Sequence, residues 1–368
     1  MKVLHVTVEL DGGGVDRLLY DYCSRMITDH RFDFVVTSPS RGILEAPLEA
    51  LGCRIFHLPT IRGDLRLRMR RLRSILAEGC YDAVHDHTGY RGLFTLALAQ
   101  KMKVPCRIAH SHICNIPESP LQHFVRFAAT HISKYFATDL FACGEDAAKW
   151  MWGEYAAREA VEILPNAINI SEFRFDSSIR KEMRQQLKID DKFVIGNVAR
   201  FSYQKNHSFL IDVFREVANS REDAVLLLVG GGELLSAIKK KVEAVGLAEK
   251  VVFLGVREDV PQLLNAMDVY LMPSLYEGLP VTLVEVQANG LPAIVSDSIT
   301  DEVMLEKNCR SITLSKTAHE WASEVLNARI ERNADVSLVE GRYDINLAAI
   351  NLSRWYLTRI CQLRSLEQ

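Results

Sequence analysis

The sequence predicts an α/β protein of two domains, each a parallel sheet covered by helices and facing a common cleft. Three observations lead there. Short apolar runs alternate with helix-length segments along the whole chain. The rhythm breaks once, between Asn166 and Arg180, where NAINISEFRFDSS is polar and irregular; a fresh strand–helix series starts at Phe193. Finally, 368 residues suffice for two domains of ordinary size.

The first half offers strands in VLHVTV (3–8), DFVVTS (33–38), RIFHLP (54–59), DAVHDH (82–87), CRIAHSH (106–112) and LFAC (140–143). The second offers FVIGNVA (193–199), AVLLLVG (224–230), KVVFLG (250–255), DVYLMP (268–273) and LPAIVSD (291–297). Helical patterns lie between them, as in Phe209, Val213, Phe214 and Val217. Strands separated by helices pair in parallel and are covered on both faces. The expected division is 1–170, 171–344 and a last helix within 345–368 that carries Leu347, Ile350, Trp355, Tyr356 and Ile360.

Composition narrows the function. Hydrophobic residues at 48% and charged residues at 25% exclude disorder and fibre. A net charge of −3 argues against nucleic acid as a partner. No apolar run is long enough to span a membrane, and the N-terminus reads as a first strand, not a secretion signal. Eight cysteines are scattered without a C-x-x-C pair, which predicts reduced thiols, a cytoplasmic chain and no structural zinc. P-loop, G-x-G-x-x-G, G-x-S-x-G and H-E-x-x-H patterns are absent.

The segment richest in chemistry is PSLYEGLPVTLVEVQANGLPAIVSD, 273–297. Glu277 ends a strand-to-helix loop. Gly278 and Leu279 lead into a helix with Pro280 expected in its first turn, and Glu285 lies about two turns on. Amides at a helix N-terminus hold phosphate or hydroxyl oxygens. VARFSYQKN (198–206) presents Arg200 and Lys205 just past a strand, suited to a diphosphate leaving group. LVGGGEL (228–234) is a strand, a three-glycine turn and a helix.

The ordered set GGGVDR, PNAIN, VARFSYQKN, LVGGGEL, FLGVREDV, PSLYEGLPVTLVE and GLPAIVSD resembles the retaining glycosyltransferases of family 4, which have the GT-B fold. The resemblance runs through nearly the whole chain. E-x7-E (Glu277, Glu285) and R-x4-K (Arg200, Lys205) are its most specific part. HSH and PSLYEGLPVTLVE look most like members that build capsule or exopolysaccharide. PNAIN departs from the family, which often has Asn-Gly and an acid at that turn.

The resemblance implies a retaining, metal-independent transferase. It would take a nucleoside diphosphate sugar, UDP-linked, and a glycan or lipid-linked acceptor, with no resident cofactor. Arg200 and Lys205 would grip the diphosphate, and Glu285 the ribose hydroxyls. Glu277 would face the sugar, with Gly278 and Leu279 supplying amides. Gly255 and Arg257 would border the base, and Gly13 and Gly14 would let the first domain approach the diphosphate. The last helix would cross back to the first domain. Two alternatives stand beside this reading: a GT-B sugar-nucleotide epimerase, and a non-catalytic sugar-nucleotide-binding partner.

Family members often carry a functional histidine at the end of an N-domain strand. His110 and His112 both fit and point the same way; His112, nearer the strand's end, is preferred. His87 is a further candidate, and His85 is expected to pack in the sheet. His85/His87 and His110/His112 are i, i+2 pairs, but no Cys or carboxylate cluster accompanies them, so no metal site is expected.

RGDLRLRMRRLRSIL (62–76) is a basic amphipathic helix. Arg66, Arg70 and Arg73 could meet anionic headgroups or a lipid-linked phosphate acceptor at the inner face of a membrane, with Leu65, Met69, Leu72 and Leu76 toward the acyl boundary.

Overall fold

The computed structural model describes residues 1–60, 63–112, 119–153 and 161–366. They form two compact units: Met1–Ile168 together with Ile345–Gln368, and Asn169–Asp344. Arg62 of the basic segment and Cys114 lie outside the described residues.

The first unit holds a seven-stranded sheet in the order β3-β2-β1-β4-β5-β6-β7. Its strands are β1 (Lys2–Thr7), β2 (Arg31–Val36), β3 (Arg54–His57), β4 (Ala83–Asp86), β5 (Cys106–Ser111), β6 (Asp139–Ala142) and β7 (Val161–Ile163). The second unit holds six strands in the order β10-β9-β8-β11-β12-β13. These are β8 (Phe193–Val198), β9 (Ala224–Val229), β10 (Val251–Gly255), β11 (Val269–Met272), β12 (Ala293–Ser296) and β13 (Cys309–Ile312). Every pair is parallel.

Both sheets therefore share the doubly wound order 3-2-1-4-5-6, the first with one strand added. In such sheets the chain leaves the innermost strands in opposite directions, opening a crevice beyond their carboxyl ends. Here those points lie between β1 and β4, and between β8 and β11.

Sequence explains most of the elements. AVLLLV of β9 is buried at every position, as a strand covered on both faces requires. Helix His207–Ser220 buries Leu210, Ile211, Val213, Phe214 and Val217 along one stripe. The two edge strands missing from the sequence reading, β7 and β13, carry weak signals: VEI is mostly exposed, and CRSI has two exposed residues at its centre.

The last helix, Ile345–Ser365, packs against helix Gly14–Met26 in the first unit. Its start is pinned there, because Ile345 N–H donates to Ile168 O at 2.9 Å. Ala349, Leu352, Tyr356 and Ile360 join the first unit's core. Leu347 and Ile350, read from sequence as part of the apolar set, instead face outward.

Candidate functional site

In the second unit, two loops meet at the β8/β11 switch point. Leu275 N–H donates to Gln204 O at 2.8 Å, and Asn206 Nδ2 to Pro273 O at 3.1 Å. Asn206 has φ +53°, a backbone state that Asn tolerates better than most residues, and it starts helix His207–Ser220. The loops bring Lys205 Nζ to 2.6 Å from Glu277 Oε1. Gln204 Nε2 donates to the other carboxylate oxygen at 3.0 Å and to Tyr276 O at 2.9 Å. Glu277 is only 5% exposed, so this is a desolvated pair held by a third group. Sequence reading assigned Lys205 and Glu277 separate partners; the structure joins them. It missed Gln204 and Asn206, whose only signal was the polar run QKN.

Arg200 sits differently. Its side chain is exposed, and Nε lies 3.3 Å from Glu233 Oε2 on the three-glycine turn. That turn lies close against the β8 loop. A Cβ at Gly230 would stand 2.1 Å from Ala199 O, and one at Gly232 would stand 2.6 Å from Phe201 O. Gly230 N–H also donates to Gly255 O at 2.7 Å, tying in the β10 end. Gly255 has φ +70° at a register shift, and Arg257 beyond it forms a two-point pair with Asp259 at 2.7 and 2.5 Å.

Helix Val281–Ala288 begins one residue after Pro280, which caps it and does not lie in its first turn. Gly278 and Leu279 belong to the preceding loop, with Leu279 buried. Glu277 is thus not on the helix, and Glu285 is its fifth residue, half-buried. Both carboxylates act on the Tyr270 phenol. Tyr270 donates its hydroxyl to Val198 O at 3.1 Å, and that phenol is pushed up chiefly by burial, then by the charges of Glu285 and Glu277.

The first unit's switch point is built from neutral rings. His5 of β1, His85 and His87 of β4, and His110 and His112 of β5 share one face of the sheet, the face covered by the last helix. His5 Nδ1 lies 2.9 Å from His87 Nε2, and His87 Nδ1 lies 2.9 Å from His112 Nε2. His85 Nε2 lies 3.0 Å from His110 Nδ1, and His85 Nδ1 lies 2.6 Å from the Tyr356 hydroxyl. Burial lowers His5 and His112 to about 3 and holds the other three well below the usual imidazole range, so all five are neutral. Two triplets, His5/His85/His87 and His87/His110/His112, bring nitrogens within 4.8 Å of one another, close enough to share an ion. One nitrogen each of His5, His110 and His112 has no hydrogen-bond partner among the described residues; the others are engaged ring to ring or with Tyr356. Sequence reading saw two separate pairs; it missed His5, which parallel register sets beside His85, and Tyr356, which the last helix brings in.

Gly13 caps helix Gly14–Met26 after β1. The cap already holds an anion: Asp16 Oδ2 accepts from the amides of Asp11 and Gly13, each at 3.1 Å. Asp16 is pushed up to about 6, by burial first. The glycine that needs its freedom is Gly12, at φ +87°.

The basic helix is Leu65–Gly79, capped by Asp64, whose side chain accepts from Leu67 N at 2.8 Å. Arg66, Arg70 and Arg73 are exposed. Two of its leucines face the core, not the outside. Leu72 and Leu76 pack into the core with Leu4, Val6 and Val84, and Arg68 is buried, donating to Pro59 O at 2.9 Å. The exposed apolar face lies elsewhere, on helix Pro120–Ser133, where Leu121 is 71% and Phe124 66% exposed. Among the described residues, no helix is long and apolar enough to cross a membrane.

Comparison with known proteins agrees with the fold and the order of these loops. Residues 13–167 match the glycosyl transferase 4-like domain, and residues 178–329 match glycosyl transferases group 1. EpsF of Bacillus subtilis (strain 168), a glycosyltransferase by name, is 34% identical over 89% of this chain and 87% of its own. The capsular polysaccharide biosynthesis glycosyltransferase CapH of Staphylococcus aureus is 22% identical over 98% and 99%. An Escherichia coli UDP-Gal:α-D-GlcNAc-diphosphoundecaprenol α-1,3-galactosyltransferase is 27% identical over 81% and 79%. Among solved structures, Anabaena HepE in complex with UDP-glucose aligns with TM-score 0.82 over 97% of this chain and all of that one, at 20% identity, which speaks for the GT-B fold alone. The chain belongs to the family 4 glycosyltransferases, a membership that leaves the epimerase reading without support.

Proposed function

We propose that the protein is a retaining glycosyltransferase that moves a sugar from a UDP sugar to a glycan or lipid-linked acceptor in capsule or exopolysaccharide synthesis. The observation that carries this is the Lys205–Glu277–Gln204 cluster at the second unit's switch point, with Arg200 on the same loop. When the bond from the sugar's anomeric carbon to phosphate breaks, its electron pair goes to the diphosphate. Lys205, Arg200 and the amides leading into helix Val281–Ala288 would meet that growing charge. These groups supply positive charge without a divalent ion, and no resident cofactor is needed. Glu285 would accept from the ribose hydroxyls, while Gly255 and Arg257 border the base; the Gly13 amide, expected to meet the diphosphate, is already taken by Asp16.

Glu277, already held by Lys205 and Gln204, is a poor nucleophile. This favours attack by the acceptor oxygen on the face the diphosphate leaves, the acceptor proton passing to a departing phosphate oxygen. The E. coli relative's lipid diphosphate acceptor supports a lipid-linked acceptor here, and the apolar face of helix Pro120–Ser133 supports peripheral contact with the cytoplasmic membrane face.

A thermal-shift screen of UDP, GDP and their sugars tests the donor, because a ligand of the folded state raises Tm by mass action. Transfer with the sugar that binds should survive EDTA and yield the donor's own anomer. Activity abolished by chelation and restored by manganese, or an inverted product by NMR, would reject the corresponding part.

A further inference from the structure

The loop that carries Glu277, residues 273–280, follows β11, and the sheet order sets β8 on one side of it and β12 on the other. From the β8 side, Asn206 holds Pro273 O, and Gln204 holds Leu275 N–H, Tyr276 O and Glu277. The carbonyl between these ties, Ser274 O, is held from the β12 side. Ser296 Oγ stands 2.6 Å from it and Ser298 Oγ 2.7 Å. The two hydroxyl oxygens are themselves 2.7 Å apart. Ser274 and Ser296 are buried, so bulk water does not replace a lost donor there.

Three oxygens thus stand at hydrogen-bond distance with two hydroxyl protons among them. Ser274 Oγ is buried without a partner among the described residues and adds none. Either both hydroxyls donate to the carbonyl, or one donates to the other, which donates to the carbonyl. In each arrangement Ser274 O receives at least one proton. When either serine is lost, the one that remains still donates. Both must go before the carbonyl is stranded and bears its full desolvation cost.

We propose that Ser296 and Ser298 are positioning residues for transfer, a redundant clamp that sets loop 273–280 and so aims Glu277 and the amides after it at the donor sugar. This rests on the function proposed above. A loop tied from one flank tilts toward that flank; tied from both, it keeps Glu277 at one height. Neither serine bonds Gln204, Lys205 or Glu277 directly. The clamp therefore acts through the backbone of the loop, on the step in which Glu277 takes part, and leaves nucleotide binding alone.

Ser296→Ala and Ser298→Ala should each leave kcat for sugar transfer near wild type. The double variant should lower kcat about 10²-fold, the scale of a group displaced by about 1 Å, with UDP affinity by calorimetry unchanged. The signature is thus a coupling between two sites, not a sum. Amide hydrogen exchange over residues 273–280 needs no turnover and should quicken in the double variant only. Ser296→Ala with Ser298→Thr, which keeps one hydroxyl, should match the single variants. Ser296→Ala with Ser298→Val, the same shape without the donor, should match the double one, and it replaces an alanine pair that fails to fold. A valine variant as active as the threonine one overturns the proposal. So does a single variant as impaired as the pair, whether or not the pair folds. Equal losses of kcat and UDP affinity would assign the serines to the stability of the unit and also overturn it. If wild type transfers no sugar from any UDP sugar, the functional reading fails, and exchange alone decides whether the clamp exists.

Discussion

The two sheets share one strand order and finish their central strands in opposite chemistries. Beyond the strands β8 to β11 stand ion pairs: Lys205 with Glu277, Arg200 with Glu233, Arg257 with Asp259. On β1, β4 and β5 and just past them stand five uncharged rings, bonded to one another and desolvated, with the Asp16 carboxylate held at the turn after β1. Topology fixes where a ligand can enter; side chains decide what it can be. Cations beside a strand end suit a diphosphate, whereas uncharged rings suit hydroxyls.

The sharpest way to break this contrast lies in the charged unit. Lys205→Ala and Arg200→Ala should each lower transfer by about 10²–10³-fold, the scale of losing one group that meets transition-state charge. They should differ in stability. Lys205→Ala strands Glu277 without its cation and should cost about 3–5 kcal/mol. The Arg200–Glu233 pair lies in solvent, so Arg200→Ala should cost less than about 1 kcal/mol. Equal losses of Tm in the two variants would deny that the buried pair is special.

A second test concerns surfaces of the first unit. Wild type should sediment with anionic vesicles at low salt and release as salt rises. Leu121→Glu with Phe124→Glu should weaken this at least about tenfold. Reversal of Arg66, Arg70 and Arg73 to Glu should shift only the salt dependence, since Leu72 and Leu76 beneath them are core. Loss of binding in the arginine variant alone would restore the basic helix as the docking face.

A smaller effect separates the carboxylates. Glu285→Ala should weaken UDP binding about tenfold by calorimetry, one hydrogen-bond acceptor's worth. Glu277→Gln should leave UDP affinity nearly unchanged and slow transfer. Equal effects on affinity would merge the two roles.

The smallest effect is a pH dependence. Asp16 is raised to about 6, so the folded chain holds this proton more tightly than the unfolded one. The resulting stability is present below about pH 4 and is lost as pH rises through 6. Asp16→Asn, which keeps an acceptor for both amides, should flatten that part of the Tm profile; an unchanged profile would place the titration elsewhere.

Much of this was legible in sequence because buried parallel strands write themselves as apolar runs, and the loops after them carry their chemistry locally. VARFSYQKN and PSLYEG announce a site without any register. Pairings across strands do not. Nothing in the spacing of 5, 85, 87, 110 and 112 reveals that five rings meet, because the register of β1, β4 and β5 is set by the whole sheet. The leucine stripe of the basic helix was ambiguous for a related reason. An amphipathic stripe reads the same whether it covers a core or a membrane, and only the packing of Leu72 and Leu76 against β1 and β4 decides.

The bond between Ile345 and Ile168 has a consequence for the order of synthesis. Residues 169–344 complete their own sheet as a continuous stretch, while the first unit still lacks Ile345–Ser365. Chains usually fold from the N-terminus as they emerge. Here the half that begins first must finish last, waiting with an open groove until Leu352, Tyr356 and Ile360 leave the ribosome. A chain ending at residue 344 should therefore show a protease-resistant second unit beside a first unit still open to cleavage.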